Sequence, residues 1–266
     1  MKGVSEFEQL IEGNKVPRWS FSDEMSRYAF AAKYTKGKVV LEIGCGTGYG
    51  ANYLAKKESK QVVGGDISEE GMKYCSRYSA KEGLEFVRLD ATKLPFSNSS
   101  FDVIVAFELI EHLKEYRDFL SECKRVLREE GSFICSTPNR HVTSPLFNKP
   151  LCRFHIKEFS PTELRSLVER YFTSVEVYGQ RYLDRKSQFE WQMRSLGGYV
   201  LERLLGNRAR ARRLGSIMFR RDYRAVTIKE DIDNCLDTIS EVLPLTTKKK
   251  LTPGGIIIVA TKGRQS

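Results

Sequence analysis

The chain has 266 residues, 41% of them hydrophobic and 29% charged, a mixture that excludes a fibrous or disordered chain and fits a folded globular one. Its longest aliphatic runs, Val103 to Phe107 and Ile256 to Ala260, fall far short of the roughly 20 residues a bilayer-spanning helix needs. The charged start MKGVSEFEQLIEGNK lacks the apolar core of a secretory signal, so a cytoplasmic location is expected. The formal net charge is +10, and most of it is local, because Arg181 to Arg224 holds twelve Lys/Arg against four Asp/Glu.

Residues 1–36 mix polar residues with aromatics, and Phe21-Ser22-Asp23-Glu24 reads as a helix start with acidic residues in its first turn. We expect a helical lid here, with Trp19, Phe21, Arg27 and Tyr28 over a ligand. The periodicity then changes. A strand Val39 to Ile43 runs into Gly44-Cys45-Gly46-Thr47-Gly48 and a helix Tyr49 to Lys57. The unit repeats: strand Gln61 to Gly65, helix Glu69 to Ala80, strand Leu84 to Leu89, turn Leu94-Pro95-Phe96, strand Asp102 to Phe107, helix Leu109 to Leu127, turn Glu130-Gly131 and strand Ser132 to Ser136. Continuous apolar strands alternating with amphipathic segments imply a parallel sheet covered on both faces, a doubly wound α/β fold.

After Pro138 comes a loop, Asn139 to Phe159, and then Ser160-Pro161-Thr162-Glu163, which reads as an N-cap with proline at the first helical position, opening a helix to Tyr171. Ser174 to Tyr178 alternates like a strand, and a last strand, Ile256 to Thr261, follows the turn Pro253-Gly254-Gly255. The long stretch between these strands is too long for a plain connection and is expected to be an insertion with helices around Glu190 to Leu205 and Asp231 to Val242. The expected organisation is a lid at 1–36, a core formed by 37–181 with 253–266, and a basic helical insertion at 182–252 on the acceptor side. Six cysteines, Cys45, Cys75, Cys123, Cys135, Cys152 and Cys235, occur singly and read as inert thiols.

A glycine turn between a buried strand and a helix lets backbone amides approach a ligand closely. Dinucleotide sites use Gly-x-Gly-x-x-Gly, whereas Gly44-x-Gly46-x-Gly48 is tighter and follows Glu42. A carboxylate there repels a pyrophosphate and suits a cationic ligand. Leu41-Glu42-Ile43-Gly44-Cys45-Gly46-Thr47-Gly48-Tyr49-Gly50 resembles motif I of class I S-adenosylmethionine-dependent methyltransferases. Val63-Gly64-Gly65-Asp66-Ile67-Ser68 resembles their second-strand motif, and Leu89-Asp90-Ala91 the third-strand motif. Leu94-Pro95-Phe96 with Phe101-Asp102-Val103-Ile104 resembles the turn and fourth strand of the small-molecule branch. The resemblance implies a mostly parallel, seven-stranded Rossmann-like sheet with a helical insertion before the last strand, and S-adenosylmethionine as donor. It assigns donor contacts to Glu42, Gly44, Cys45, Gly46, Gly48, Asp66 (ribose), Ile67, Asp90 and Ala91 (adenine), Phe107 and Tyr28.

After the fourth strand stands Glu108-Leu109-Ile110-Glu111-His112. If a helix begins here, Glu108, Glu111 and His112 share a face at i, i+3 and i+4. The chain has only three histidines, His112, His141 and His155, all at or beyond the carboxyl ends of strands four and five, the edge where open α/β sheets bind ligands. Glu108, Glu111, His112 and His155 could then hold Mg²⁺ or Mn²⁺, and the element resembles the metal ligands of two O-methyltransferase groups, one acting on polyphenols and one on the terminal 2′-hydroxyl of small RNAs. Glu-His at this place is also common in relatives without metal, where the glutamate caps the helix and the histidine lines the pocket. Without metal, His112 with Glu111 is the catalytic candidate, His112 as general base.

The leading expectation is methyl transfer to a hydroxyl of a small molecule, sugar or lipid headgroup. The alternatives are an RNA 2′-O-methyltransferase using the arginines of 181–224, and a non-catalytic nucleotide-binding relative. Leu201, Leu204, Leu205, Leu214, Ile217, Met218 and Phe219 run through the same segment and would also suit a helix lying on a membrane surface.

Overall fold

In a computed structural model of the chain, the described residues are 16–75, 78, 82–145, 149–152, 154–180, 225–226, 242–244 and 254–264. In chain order they form β1 (Val16–Pro17), α1 (Arg18–Thr35), β2 (Val39–Ile43), α2 (Tyr49–Lys56), β3 (Gln61–Asp66), α3 (Glu69–Cys75), β4 (Leu84–Arg88) and β5 (Phe101–Phe107). A 3-10 turn (Ile110–His112) follows, then α4 (Tyr116–Val126), β6 (Leu127–Pro138), α5 (Arg140–Thr143), α6 (Pro161–Val168), β7 (Ser174–Gln180), β8 (Ala225–Val226), β9 (Val242–Pro244) and β10 (Gly255–Thr261).

The main sheet has the order β4-β3-β2-β5-β6-β10-β7-β9. Neighbours from β4 to β6 are parallel, whereas β10 is antiparallel to β6 and β7. The expected seven-stranded, mostly parallel sheet is therefore present, with the three-residue β9 added at its edge. The chain builds outward from β2 to β4 and then returns to lay β5 on the other side of β2, so the order reverses between β2 and β5. In such sheets ligands bind beyond the carboxyl ends of the strands at this reversal.

The apolar runs are explained by two cores. Leu41, Ile43 and Ile104 point to one face and pack with Phe119 and Leu120 of α4 and Leu164 of α6. Their neighbours Val40, Val103 and Val105 point to the other face and pack with Met25 and Tyr28 of α1 and Leu54 of α2. Alternate residues of each strand are thus buried on opposite sides, which requires an apolar residue at nearly every position. Helix α1 is held at the sheet edge by a relay in which Arg27 Nη1 donates to Gln180 Oε1 (3.0 Å) and Gln180 Nε2 donates to the Asp23 carbonyl (2.7 Å).

Three expectations are corrected. Helix α1 begins at Arg18, directly after Pro17, rather than at Phe21. The expected helix Leu109 to Leu127 is broken into the 3-10 turn and α4, with extended Leu113 (φ −92°, ψ 127°) between them. The cause is upstream: Glu108 adopts a left-handed φ of +50° and its amide bonds the Ser136 carbonyl, so no α-helix propagates from it. Strand β6 starts at Leu127 rather than Ser132 because the Glu130-Gly131 turn is absorbed as an irregularity in the β5/β6 register. At Gly131 a Cβ would lie 2.8 Å from the Arg128 carbonyl oxygen, so this turn needs glycine. The capping box at Ser160 and Glu163 forms as its residues suggest. The helices expected within 182–252 lie outside the described residues, except that Val242, placed at a helix end, instead opens β9.

Candidate active site

The donor side begins where β2 ends. Gly44, Gly46 and Gly48 have φ of +78°, +59° and +79°, a left-handed sequence that costs other residues about 1–2 kcal/mol each. The turn is tied to β3 by the amides of Gly44 and Cys45, which both donate to the Gly65 carbonyl (2.8 and 3.0 Å). Asp66 completes the attachment, accepting from the Gly46 amide (3.0 Å) on one carboxylate oxygen and from the Ser68 amide (2.8 Å) on the other. Each oxygen keeps a second lone pair that a hydroxyl could use. Ile67 beside it is an apolar side chain left 64% exposed.

Glu42 lies at the base of this turn and is 1% exposed. Tyr28 of α1 donates its hydroxyl to Oε1, while Oε2 makes no hydrogen bond of normal geometry. Burial first, and then the Asp66 carboxylate, raise its pKa to about 8, against the opposing effect of the Tyr28 bond. The Tyr28 ring stands edge-on to Tyr49 (5.7 Å between centroids) and to Phe107 (5.1 Å). It lies so close over α2 that a Cβ on Gly50 would fall 2.1 Å from it. Tyr28, Glu42 and Phe107 are thus brought together with the turn, and Gly50, quoted within the motif and given no role, is what admits Tyr28.

At the far end of this side, exposed Asp90 accepts from the Thr92 amide (2.8 Å) and hydroxyl (2.7 Å), which hold its carboxyl below the usual range. Ala91 next to it is buried. Asp102 is a structural residue at the opposite strand end, accepting from the Val39 amide (2.8 Å) and Arg128 Nη1 (2.8 Å).

Beyond the end of β5 stands a second buried acid. Glu111 is 0% exposed. Its Oε2 accepts from Thr137 Oγ1 (3.0 Å), its backbone carbonyl accepts from the amides of Ile156 (2.7 Å) and Lys157 (3.2 Å), and its Oε1 has no hydrogen-bond partner. Burial and the Glu108 carboxylate raise its pKa to about 8. His112 Nδ1 is 3.0 Å from the Phe154 carbonyl. A carbonyl only accepts, so Nδ1 carries a proton. His155 Nδ1 lies 2.7 Å from buried Glu158. Burial lowers the His155 pKa, but Cys152, Glu158 and Glu111 outweigh it and raise it to about 10.

The two imidazole rings meet edge to face at 5.0 Å, and Glu111, His112 and His155 each offer one ligand atom within 4.8 Å of the others. Glu108 is not in this group: its left-handed backbone directs it to Ser136 Oγ, which donates to Oε1 at 2.7 Å. The expected four-ligand set is corrected to three among the described residues. His141 is likewise outside it, on α5, where its amide bonds Asn139 Oδ1. Sequence reasoning missed Glu158, which orients His155 from i+3, and Thr137, which holds Glu111. The i+3 spacing of Glu158 was visible, whereas Thr137 arrives through the sheet.

Residues 41–135 match the family model for a methyltransferase domain. The chain is 37% identical over 162 residues to a protein of Mycolicibacterium smegmatis named a probable S-adenosylmethionine-dependent methyltransferase, covering 61% of this chain and 62% of that one. It is 35% identical over 140 residues to the fatty-acid O-methyltransferase of the same species, covering 50% and 51%. The match therefore spans half to three-fifths of the length of these relatives. The crystal structure of YcgJ from Bacillus subtilis superposes with a TM-score of 0.57 at 16% identity, over 90% of this chain and 99% of that one, which shows the shared fold. Residues 41–135 thus match a methyltransferase domain, and the chain is similar to proteins named as S-adenosylmethionine-dependent methyltransferases.

Proposed function

We propose that the chain transfers the methyl group of S-adenosylmethionine to an oxygen of a small or lipid-like acceptor. The observation that carries the donor half is Glu42, a buried carboxylate with one unpartnered oxygen, set under a left-handed glycine turn at the sheet's switch point. An ammonium brought to that oxygen supplies the missing partner, which is the chemistry of the donor's aminoacyl end. When bound, the donor supplies an electrophilic methyl on a positive sulfur. Asp66 and the close approach of the glycine turn hold the donor, Tyr28 and Phe107 close over it, and Asp90 with Ala91 takes the adenine edge.

On the acceptor side, His112 accepts the hydroxyl proton as the acceptor oxygen bonds the methyl carbon, the carbon–sulfur bond breaks and the sulfur leaves as a neutral thioether. Glu111 and the His155–Glu158 pair hold the imidazole and the hydroxyl in place, so positioning carries most of the rate. The fatty-acid O-methyltransferase among the relatives acts, by its name, on an oxygen of a lipid, which favours an oxygen acceptor here too. A second reading has its own observation, the three converging ligand atoms with Oε1 of Glu111 unpartnered. Two imidazoles and one carboxylate form a borderline donor set suited to Mn²⁺ rather than Mg²⁺, which prefers all-oxygen sites. Such an ion would polarise the acceptor hydroxyl.

The test is donor calorimetry followed by incubation of polar and lipid extracts with isotopically labelled donor. Donor binding and a labelled O-methyl product read by mass spectrometry are expected. A protein that binds no donor refutes the proposal. Turnover that survives excess EDTA discards the ion, and turnover that EDTA abolishes and Mn²⁺ restores discards the metal-free base.

A further inference from the structure

Away from the glycine turn the described residues form a hollow of about 350 Å³ lined by Tyr116, Arg140, Pro150, Ile156, Lys157 and Glu158, a volume within the range of small-molecule sites. Its charges do not cancel. The one carboxylate in the lining, Glu158, is 3% exposed and is consumed by His155 Nδ1 (2.7 Å) and Thr143 Oγ1 (2.6 Å). The cations are Arg140 and Lys157. The Lys157 ammonium stands over the faces of Tyr116 (5.2 Å) and Phe159 (4.8 Å) and has no ion-pair partner among the described residues. Outside the lining, Glu163 lies 3.7 Å from Arg140 Nη1 and feels both cations. Its Oε2 is already taken by the Ser160 amide (2.8 Å) in the capping box. Two cations thus share one partly occupied acid.

The lip of the hollow is apolar. Ile156 is 53% exposed and, with Ile67 at the donor turn, is one of two large hydrophobic side chains standing in solvent among the described residues. The hollow is also wired to the acceptor side of the site. The amides of Ile156 and Lys157 both bond the Glu111 carbonyl, Phe154 holds His112, and Glu158 holds His155. One five-residue segment therefore faces the histidine pair on one side and lines the hollow on the other.

We propose that this hollow is the headgroup subsite for the acceptor: it takes an anionic group, phosphate or carboxylate, on Arg140 and Lys157, with the attached apolar chain against Ile156 and Pro150. The inference rests on the methyl-transfer reading and deepens it, naming the acceptor as an anionic amphiphile with its methylated oxygen near the charged head. Arginine offers a planar fork to the oxyanion and lysine a point charge, a pairing that binds such groups by charge-assisted hydrogen bonds.

The experiment measures binding to the intact protein by calorimetry with four probes below their aggregation limits: octyl phosphate, octanoate, octanol and inorganic phosphate. Octyl phosphate and octanoate should bind, octanol and inorganic phosphate at least tenfold more weakly. The double variant Arg140→Gln/Lys157→Gln should lose octyl phosphate affinity tenfold or more. Ile156→Ser should lower octyl phosphate affinity with little change toward inorganic phosphate. Both variants alter partly exposed side chains, and unchanged affinity for S-adenosylmethionine in the same samples reports that they are folded. Octanol binding as tightly as octyl phosphate, inorganic phosphate binding as tightly as octyl phosphate, no binding of either anion, or full affinity in the double variant would each overturn the proposal. Donor binding is read separately, so a protein that holds octyl phosphate but no donor refutes methyl transfer without touching the anion site.

Discussion

Replacing Glu42 with glutamine should reverse its effect on stability as the pH rises. Burial raises the carboxyl pKa from 4.5 to about 8, so the folded chain keeps this proton while the unfolded chain releases it. The unfolded state then binds fewer protons between pH 4.5 and 8, and stability falls through that window and levels off above it. At about 1.4 kcal/mol per pH unit the fully developed cost is about 3–5 kcal/mol. The amide in Glu42→Gln removes this cost, keeps an oxygen for Tyr28, and puts an NH₂ where Oε2 lacks a partner, at a cost of about 1–3 kcal/mol. The variant should therefore be less stable than the parent at pH 5 and more stable at pH 8.5, with the melting temperature at pH 8.5 raised by roughly 4–8 °C for a chain of this size. Differential scanning calorimetry of the donor-free protein at the two pH values reads the sign. Glu111 titrates in both proteins and cancels. An offset between variant and parent that is the same at both pH values would refute the assignment of a retained proton to Glu42. The same variant should lose donor affinity tenfold or more, because an amide does not neutralise an ammonium.

Donor binding by the parent at pH 7 should release close to one proton as Glu42 ionises against the arriving ammonium, measured as the dependence of the calorimetric heat on buffer ionisation enthalpy; no dependence counts against it. Gly50→Ala should cost about 1–3 kcal/mol, since its Cβ would meet the Tyr28 ring at 2.1 Å, and should weaken donor binding with it; Tyr28→Ala in the same background should restore much of the stability and none of the affinity. Glu158→Gln should lower the His155 pKa from about 10. A raised base stabilises the fold below its unfolded value near 6.5 and loses that contribution as pH rises through 10, so the loss of melting temperature in this variant should be largest at pH 6 and vanish above pH 10.

The donor half was legible because its determinants are local. A β-branched run, three glycines at alternating positions and a helix-forming segment are each readable without a partner, and the strand bounds at Val39 and Ile43 stand as expected. The acceptor half was only partly legible. Reading Glu108, Glu111 and His112 as one helical face anticipated that Glu111 and His112 stand close together, for a reason that does not hold. Their convergence comes from a 3-10 turn that follows a left-handed Glu108, and that conformation is fixed by Ser136 across the sheet. A bond between residues 28 apart leaves no trace in local periodicity. The apolar positions Leu109, Ile110 and Leu113 continue the helical pattern of α4, so the break at Leu113 was hidden by side chains that are apolar for tertiary reasons.

The boundary of the family match follows the same division. Residues 41–135 begin in β2 and end in β6, so they contain the glycine turn, Asp66, Asp90, Glu111 and His112, and stop before Thr137, Arg140, His155, Lys157 and Glu158. Glu111 and His112 alone offer an acid and a base held by backbone carbonyl contacts. It is the 139–159 segment that adds the second imidazole, the acid that orients it, and the cationic hollow behind both. Ile156 and Lys157 of that segment hang on the carbonyl of Glu111 through their amides, while their side chains line the hollow. On the proposed reading, donor binding and acceptor choice are separable: substitutions at Arg140, Ile156 or Lys157 should alter which molecule is methylated, and substitutions around Glu42 should alter whether any is.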